Sequence, residues 1–201
     1  DAIESVLAQT GVAHLDIVVV DDGSTPDTAS ALERFGDRIR YVRQENAGLN
    51  VARNLGLRLA TGDFIALLDD DDVWLPFKTE VQLTALRQFP SAAFVHSNFH
   101  IWNPDSGARR PDGLRTWFPR PYEWSELYES YTTISIHPHS QAGAQQSELP
   151  VHFGDTYYWS LFAPMVLPST AIVRRGALGD GFKFPEVNST GDWEFFARLS
   201  K

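Results

Sequence analysis

Apolar positions along this chain fall into short solid blocks separated by stretches of helical periodicity. Ile17-Val18-Val19-Val20 and Phe64-Ile65-Ala66-Leu67-Leu68 are continuous, bulky or β-branched, and without polar alternation, a pattern that predicts strands buried on both faces. Between them, Thr25-Pro26-Asp27 reads as a helix start, with Thr25 as cap and Pro26 in the first turn. It leads to Ala31, Leu32 and Phe35 and a stop at Gly36. A strand is expected over Ile39 to Val42. After Asn46-Ala47-Gly48, a helix carries Val51, Ala52, Leu55 and Leu59 on one side and is expected to end at Gly62. Val73-Trp74-Leu75-Pro76 turns into a helix with Val81, Leu83 and Leu86, and Ala92 to His96 predicts another strand. Alternation of strand and helix predicts an α/β fold, a mostly parallel central sheet flanked by helices.

From about Phe99 to Pro168 the pattern becomes irregular, rich in Trp, Tyr, His, Pro and Ser. The segment is too long for an ordinary connection and too aromatic for a linker, which points to a functional excursion. Regularity returns with a strand at Thr170-Ala171-Ile172-Val173, a Gly-rich turn at Gly179 and Gly181, and a final helix opened by Gly191-Asp192-Trp193-Glu194. The chain opens on one helical stripe, Ile3, Val6 and Leu7, and closes inside another, Phe195, Phe196 and Leu199, so a piece of a longer protein is expected.

Two acidic clusters, Asp21-Asp22-Gly23-Ser24 and Asp69-Asp70-Asp71-Asp72, each follow one of the solid apolar blocks. Ligands of open α/β sheets bind beyond the carboxyl ends of the strands, so both clusters should face one crevice. So much negative charge is tolerable only if water, a cation or a cationic group shares the space, and a hard divalent ion carrying a diphosphate is the natural occupant. Locally each cluster has a plainer reading: a turn with helix capping for the first, a solvated loop for the second. The strand–cluster placement, repeated twice, favours a ligand site.

Composition narrows the field. With 201 residues, 43% of them apolar, the chain suits one globular domain. Net charge of −9 argues against a nucleic-acid partner. Zero cysteines remove disulfides and thiolate chemistry. No apolar run approaches the ~18 residues that span a bilayer, and no signal peptide opens the chain, so a soluble, cytoplasmic protein is expected.

In order, Ser5-Val6-Leu7-Ala8-Gln9-Thr10, Val19-Val20-Asp21-Asp22-Gly23-Ser24, Ala52-Arg53-Asn54-Leu55-Gly56 and Leu68-Asp69-Asp70-Asp71-Asp72-Val73-Trp74-Leu75-Pro76 resemble glycosyltransferase family 2, inverting enzymes of the GT-A fold that include SpsA-like transferases. Pro168-Ser169-Thr170 and Gly191 to Arg198 resemble its later blocks. The resemblance implies one GT-A domain, residues 1–98 as the nucleotide-sugar half and 99–201 as the acceptor half. It implies transfer of a sugar from a nucleotide diphosphate, with a UDP-sugar favoured, to a saccharide or lipid-linked acceptor in surface polysaccharide or glycolipid synthesis. Peripheral association with the inner membrane face would fit such an acceptor.

By the same resemblance, Asp21 and Asp22 are the nucleotide pair, with Asp22 the expected acceptor from the base. Asp71 is the expected ligand of Mg²⁺ or Mn²⁺, and Asp69 and Asp70 contact ribose, donor sugar or metal-bound water. Asp192 is the candidate general base, although a carboxylate there also suits a helix N-terminus. Arg53 serves phosphate or orients an aspartate; as an exposed helix residue it could equally pair with a neighbour. Gly191 stands where many relatives carry Glu, and the family's opening strand with its Tyr-Asn-type nucleotide contact has no counterpart before Asp1. Trp102, Trp117, Trp124, Tyr157, Tyr158 and Trp159 are candidates to stack on an acceptor sugar or to anchor the excursion, whereas His137-Pro138-His139 has no ligand set to complete it. A catalytically silent sugar-nucleotide-binding module and a sugar nucleotidyltransferase stay open as alternatives. For the second, no Gly-rich, Arg- and Lys-bearing phosphate loop is visible.

Overall fold

The computed structural model describes residues 1–116, 122–136, 147–186 and 190–201. After helix α1 (Ala2–Leu7), strand β1 (Val18–Asp22) pairs in parallel with β2 (Arg40–Gln44), in a register that sets Asp21 beside Arg43 and Asp22 beside Gln44. The crossover between them contains α2 (Pro26–Leu32), with Thr25 in extended conformation at the cap position and Pro26 first in the helix. Thr25 contributes its carbonyl, which accepts the Thr28 N–H at 3.1 Å, and makes no side-chain cap. The helix ends earlier than Gly36, in a 3-10 segment over Glu33–Arg38 broken at Gly36 (φ 51°, ψ −135°).

Helix α3 (Leu49–Leu59) leads into β3 (Phe64–Ala66), and α4 (Lys78–Gln88) into β4 (Phe94–His96). Both strands pair with β9 (Ala171–Arg174), which runs antiparallel between them. β3 and β4 therefore point the same way, as strand–helix–strand periodicity predicts, but a strand from about 80 residues later in the chain fills the space between them. No local pattern announces that insertion. β1 is half-buried where a strand covered on both faces was expected, and among the described residues its pairing is on one side only.

The excursion is more ordered than its composition suggests. It forms the β5 (Ile101–Trp102) and β6 (Arg109–Arg110) hairpin, α5 (Trp124–Leu127), and a hairpin of β7 (Ser130–Ile136) with β8 (Ser147–Phe153). Thr132, Ile134 and Ile136 alternate inward along β7, and Ile134 and Ile136 pack on Ala85 of α4. That period of two is readable in the sequence once the surrounding aromatics are set aside. Helices α6 (Tyr157–Ser160) and α7 (Gly191–Leu199) complete the fold. The main core gathers Met165, Val173, Phe184, Phe195 and Phe196, with the Phe184 and Phe195 rings stacked at 3.9 Å.

Candidate functional site

At the carboxyl end of β1 the first acidic pair is already occupied by the protein's own donors. The Asp21 side chain is 1% exposed and accepts hydrogen bonds from the Tyr41 hydroxyl, from Arg43 at 2.8 Å and from the Ser24 N–H at 2.7 Å. The Tyr41 bond above all pulls its pKa down to about 2. Asp22 accepts from the Gln44 amide at 2.7 Å and from the N–H groups of Ala47 and Gly48 at 2.9 and 2.8 Å. Burial opposes its ionisation, yet the Ala47, Gln44 and Gly48 bonds together hold its pKa below the usual carboxylate value. In this arrangement Asp22 shapes the loop that feeds α3, where Gly48 turns the chain at φ 96°.

α3 then carries Asn50 and Arg53, one turn apart, toward β3. The Arg53 side chain is 9% exposed; one of its terminal nitrogens reaches both carboxylate oxygens of Asp69, at 2.9 and 2.8 Å. Its guanidinium lies 5.5 Å from the centre of the Phe184 ring, and its Nε is buried without a hydrogen-bond partner among the described residues. Of the readings open for Arg53, the geometry contains an ion pair with Asp69, made by a buried side chain where an exposed one was expected.

The second acidic cluster is a turn closed by the Asp72 N–H donating to the Asp69 carbonyl at 3.2 Å, with Asp70 and Asp71 exposed at its tip. Burial, with Asp71 and Asp69 adding to it, raises the Asp72 pKa against a hydrogen bond from Ser169. Among the described residues no three His, Cys, Asp or Glu side chains converge as a protein-only metal cage. An exposed pair of carboxylates suits a hard cation that takes one or two protein oxygens and completes its shell with phosphate and water. Asp70 and Asp71 fit that mode.

Asp192 is the second residue of α7, its Oδ1 accepting the adjacent Trp193 N–H at 2.8 Å. It lines a cavity of about 470 Å³ together with Gly48, Leu49 and Asn50 at the start of α3, Arg53, Asp69, Glu186 and Gly191. The structure thus brings Arg53, Asp69 and Asp192 to one cavity, across 139 positions of sequence, with the positive end of the α3 dipole opening into it. Asp21, Asp22, Asp70 and Asp71 are not among its walls. A hollow of about 540 Å³ at Asp63, Arg174, Arg175 and Gly176 contains none of the expected residues, and Arg174 there is committed to the carbonyls of Leu86 and Ala92.

The stacking candidates lie elsewhere. Trp102 is exposed on its hairpin; Trp124 sits among Tyr122, Tyr128 and His152; Tyr157, Tyr158 and Trp159 form α6, joined to α7 by the Trp193 indole N–H on the Ser160 carbonyl. None lines the cavity. Trp117 and His137-Pro138-His139 fall outside the described residues. Sequence reasoning missed the contributions of Asn50 and Glu186 to the cavity. It also missed Tyr41 as the partner of Asp21: by strand register Tyr41 stands opposite Val19, and its hydroxyl reaches Asp21 from two positions away.

The fold is that of the GT-A class, and comparison with known proteins agrees. The glycosyl transferase family 2 model matches residues 1–179, and the chain belongs to that family. It is 38% identical over 107 residues to WfgD of Escherichia coli, named a UDP-Glc:alpha-D-GlcNAc-diphosphoundecaprenol beta-1,3-glucosyltransferase; the match spans 52% of this chain and 42% of WfgD. It is 39% identical over 105 residues to the glycosyltransferase RC0461 of Rickettsia conorii, covering 51% of this chain and 17% of that one. The structure of S. aureus TarS residues 1–349 with UDP superposes over 99% of this chain and 50% of that one, with a TM-score of 0.64 at 18% identity. The chain spans half or less of the length of these relatives.

Proposed function

We propose that the chain is the donor-binding and catalytic part of an inverting, metal-dependent glycosyltransferase that moves a sugar from a UDP-sugar to an acceptor hydroxyl. The observation carrying this reading is the single cavity shared by the Arg53–Asp69 pair, the start of α3 and Asp192. TarS has been crystallised with UDP and with UDP-GlcNAc, and WfgD is named for a UDP-Glc donor and a lipid-linked acceptor, which favours a uridine donor here. Membership of a transferase family likewise favours sugar transfer over nucleotidyl transfer.

In the proposed mechanism Arg53 fixes the Asp69 carboxylate toward ribose or donor sugar, with Asp70 beside it. Asp71 would hold Mg²⁺ or Mn²⁺, which as a Lewis acid would stabilise the departing diphosphate. Asp21 and Asp22 keep the nucleotide-side loops in shape, and Asp22 retains lone-pair capacity toward a base. Asp192, on the opposite wall, accepts the acceptor's hydroxyl proton, and single displacement inverts the anomeric centre. On this reading residues 1–98 hold the donor and 99–201 the acceptor. Among the described residues no helix is long and apolar enough to cross a membrane. We place the protein in the cytoplasm, at the inner membrane face when its acceptor is lipid-linked.

Isothermal titration of the full chain with UDP, GDP and dTDP, with and without Mn²⁺, tests the donor site. UDP binding that requires Mn²⁺ and is lost in Asp71→Ala is expected; no binding of any nucleotide under either condition rejects the reading.

A further inference from the structure

Ser169 reaches the acidic turn from a hundred residues away. β9 begins at Ala171 and runs antiparallel to β3, so the preceding turn, Pro168–Thr170, lands at the carboxyl end of β3. There the Ser169 hydroxyl accepts the Asp69 N–H at 3.0 Å. One side chain from outside therefore holds the backbone of the first member of the Asp69–Asp72 turn.

The anchor is itself immobile. Ser169 is 4% exposed, its carbonyl accepts the Trp74 indole N–H at 2.7 Å, and the next carbonyl, of Thr170, accepts the Gln82 amide at 2.6 Å. Four consecutive carboxylates repel one another and would open an unsupported turn. A turn held before the ligand arrives binds more tightly, since the ordering cost is already met in folding.

We infer that Ser169 is a positioning residue that holds the Asp69–Asp72 turn in the shape required by a divalent cation and its diphosphate. This rests on the function proposed for that turn.

Two measurements on the full chain test it. The first is amide hydrogen exchange at Asp69: protection is expected in the parent, and Ser169→Ala should speed exchange about tenfold while Ser169→Thr, which keeps the hydroxyl, stays close to the parent. An Asp69 amide that exchanges in the parent as freely as an exposed loop overturns the inference without any variant. The second is titration with UDP, with and without Mn²⁺. Ser169→Ala should weaken Mn²⁺-dependent binding about tenfold and leave metal-free binding unchanged, with recovery to within about threefold in Ser169→Thr. Equal losses with and without metal, or no loss, overturn the positioning role. If the parent itself shows no Mn²⁺-dependent UDP binding, the proposed function fails, and the exchange measurement still decides whether Ser169 holds the turn.

Discussion

Asn54 and Phe184 exchange two hydrogen bonds across 130 positions of sequence: the Asn54 amide donates to the Phe184 carbonyl at 2.9 Å, and the Phe184 N–H donates back to the Asn54 side-chain oxygen at 2.8 Å. Both residues are buried, and the Phe184 ring lies between the Arg53 guanidinium and the Phe195 ring of α7. The pair thus joins α3 to the chain that precedes α7, the two sides of the cavity. Asn54→Leu would leave two buried backbone groups without partners, which should cost roughly 2–5 kcal/mol. Urea unfolding monitored by circular dichroism measures it; a loss below about 1 kcal/mol would show that water replaces the amide.

Asp21 makes stability sensitive to acid. Its folded pKa lies at about 2, chiefly because Tyr41 donates to it, and its unfolded value is about 3.9. A depressed carboxylate contributes stability that is complete above the unfolded pKa and disappears as pH falls through the folded one. Tyr41→Phe removes the leading cause, so the stability gap between parent and variant should be constant above about pH 5 and shrink toward pH 2. A gap that does not change with pH would mean that Tyr41 acts by packing alone.

Lys78 acts at the other end of the scale. Burial pulls its pKa down to about 7 from the usual value near 10.4, while the Trp74 ring, 4.1 Å from its ammonium, and the Gln82 side-chain oxygen at 2.8 Å favour the charged form. Between those two pKa values the unfolded chain binds more protons than the folded one, so Lys78 makes stability rise with pH over that window. Lys78→Met should flatten the rise and be most stabilising relative to the parent at its acid end. Parallel unfolding curves for parent and variant from neutral pH to about 9.5 would contradict this.

What the sequence disclosed about this molecule follows from distance along the chain. The helix over Leu49–Leu59 and the strands ending at Asp22 and before Asp69 follow from nearest-neighbour patterns of apolar residues and breakers, and they emerge nearly as expected. The insertion of β9 between β3 and β4 does not, because it is decided by packing between segments far apart. The same holds at the site. Asp69, Arg53 and Asp192 are visible as chemistry-bearing residues in the sequence. That Arg53 engages Asp69, and that Asp22 spends its oxygens on the loop before α3, depends on the third dimension. Ser169 and Asn54 were visible only as members of recurring blocks, since a serine or asparagine reveals its partner only when the partner is in place.

Gly191 tests how closely the two cavity walls approach. A Cβ added there would lie 2.1 Å from the Asn50 side-chain nitrogen, so Gly191→Ala must move the Asn50 amide. Backbone is not obstructed, and the variant should fold with its melting temperature little changed while nucleotide affinity falls severalfold. Binding at parental affinity in Gly191→Ala would mean that the Asn50 side chain is free to leave the cavity without consequence.

Asp192 separates chemistry from binding. It lines the same cavity as the Arg53–Asp69 pair, and among the described residues its Oδ1 accepts the neighbouring Trp193 N–H, which leaves the other carboxylate oxygen to an incoming hydroxyl. As a general base it contributes to the transfer step alone: Asp192→Asn should lower kcat by roughly 10²–10⁴-fold with Mn²⁺-dependent UDP affinity preserved. The amide still accepts the Trp193 N–H and still suits the first turn of α7, so a stability loss is not expected. Product analysis by NMR in the parent should show the inverted anomer. If Asp192→Asn turns over at the parental rate, this carboxylate is only the opening of a helix, and the base lies on another side chain of the acceptor half.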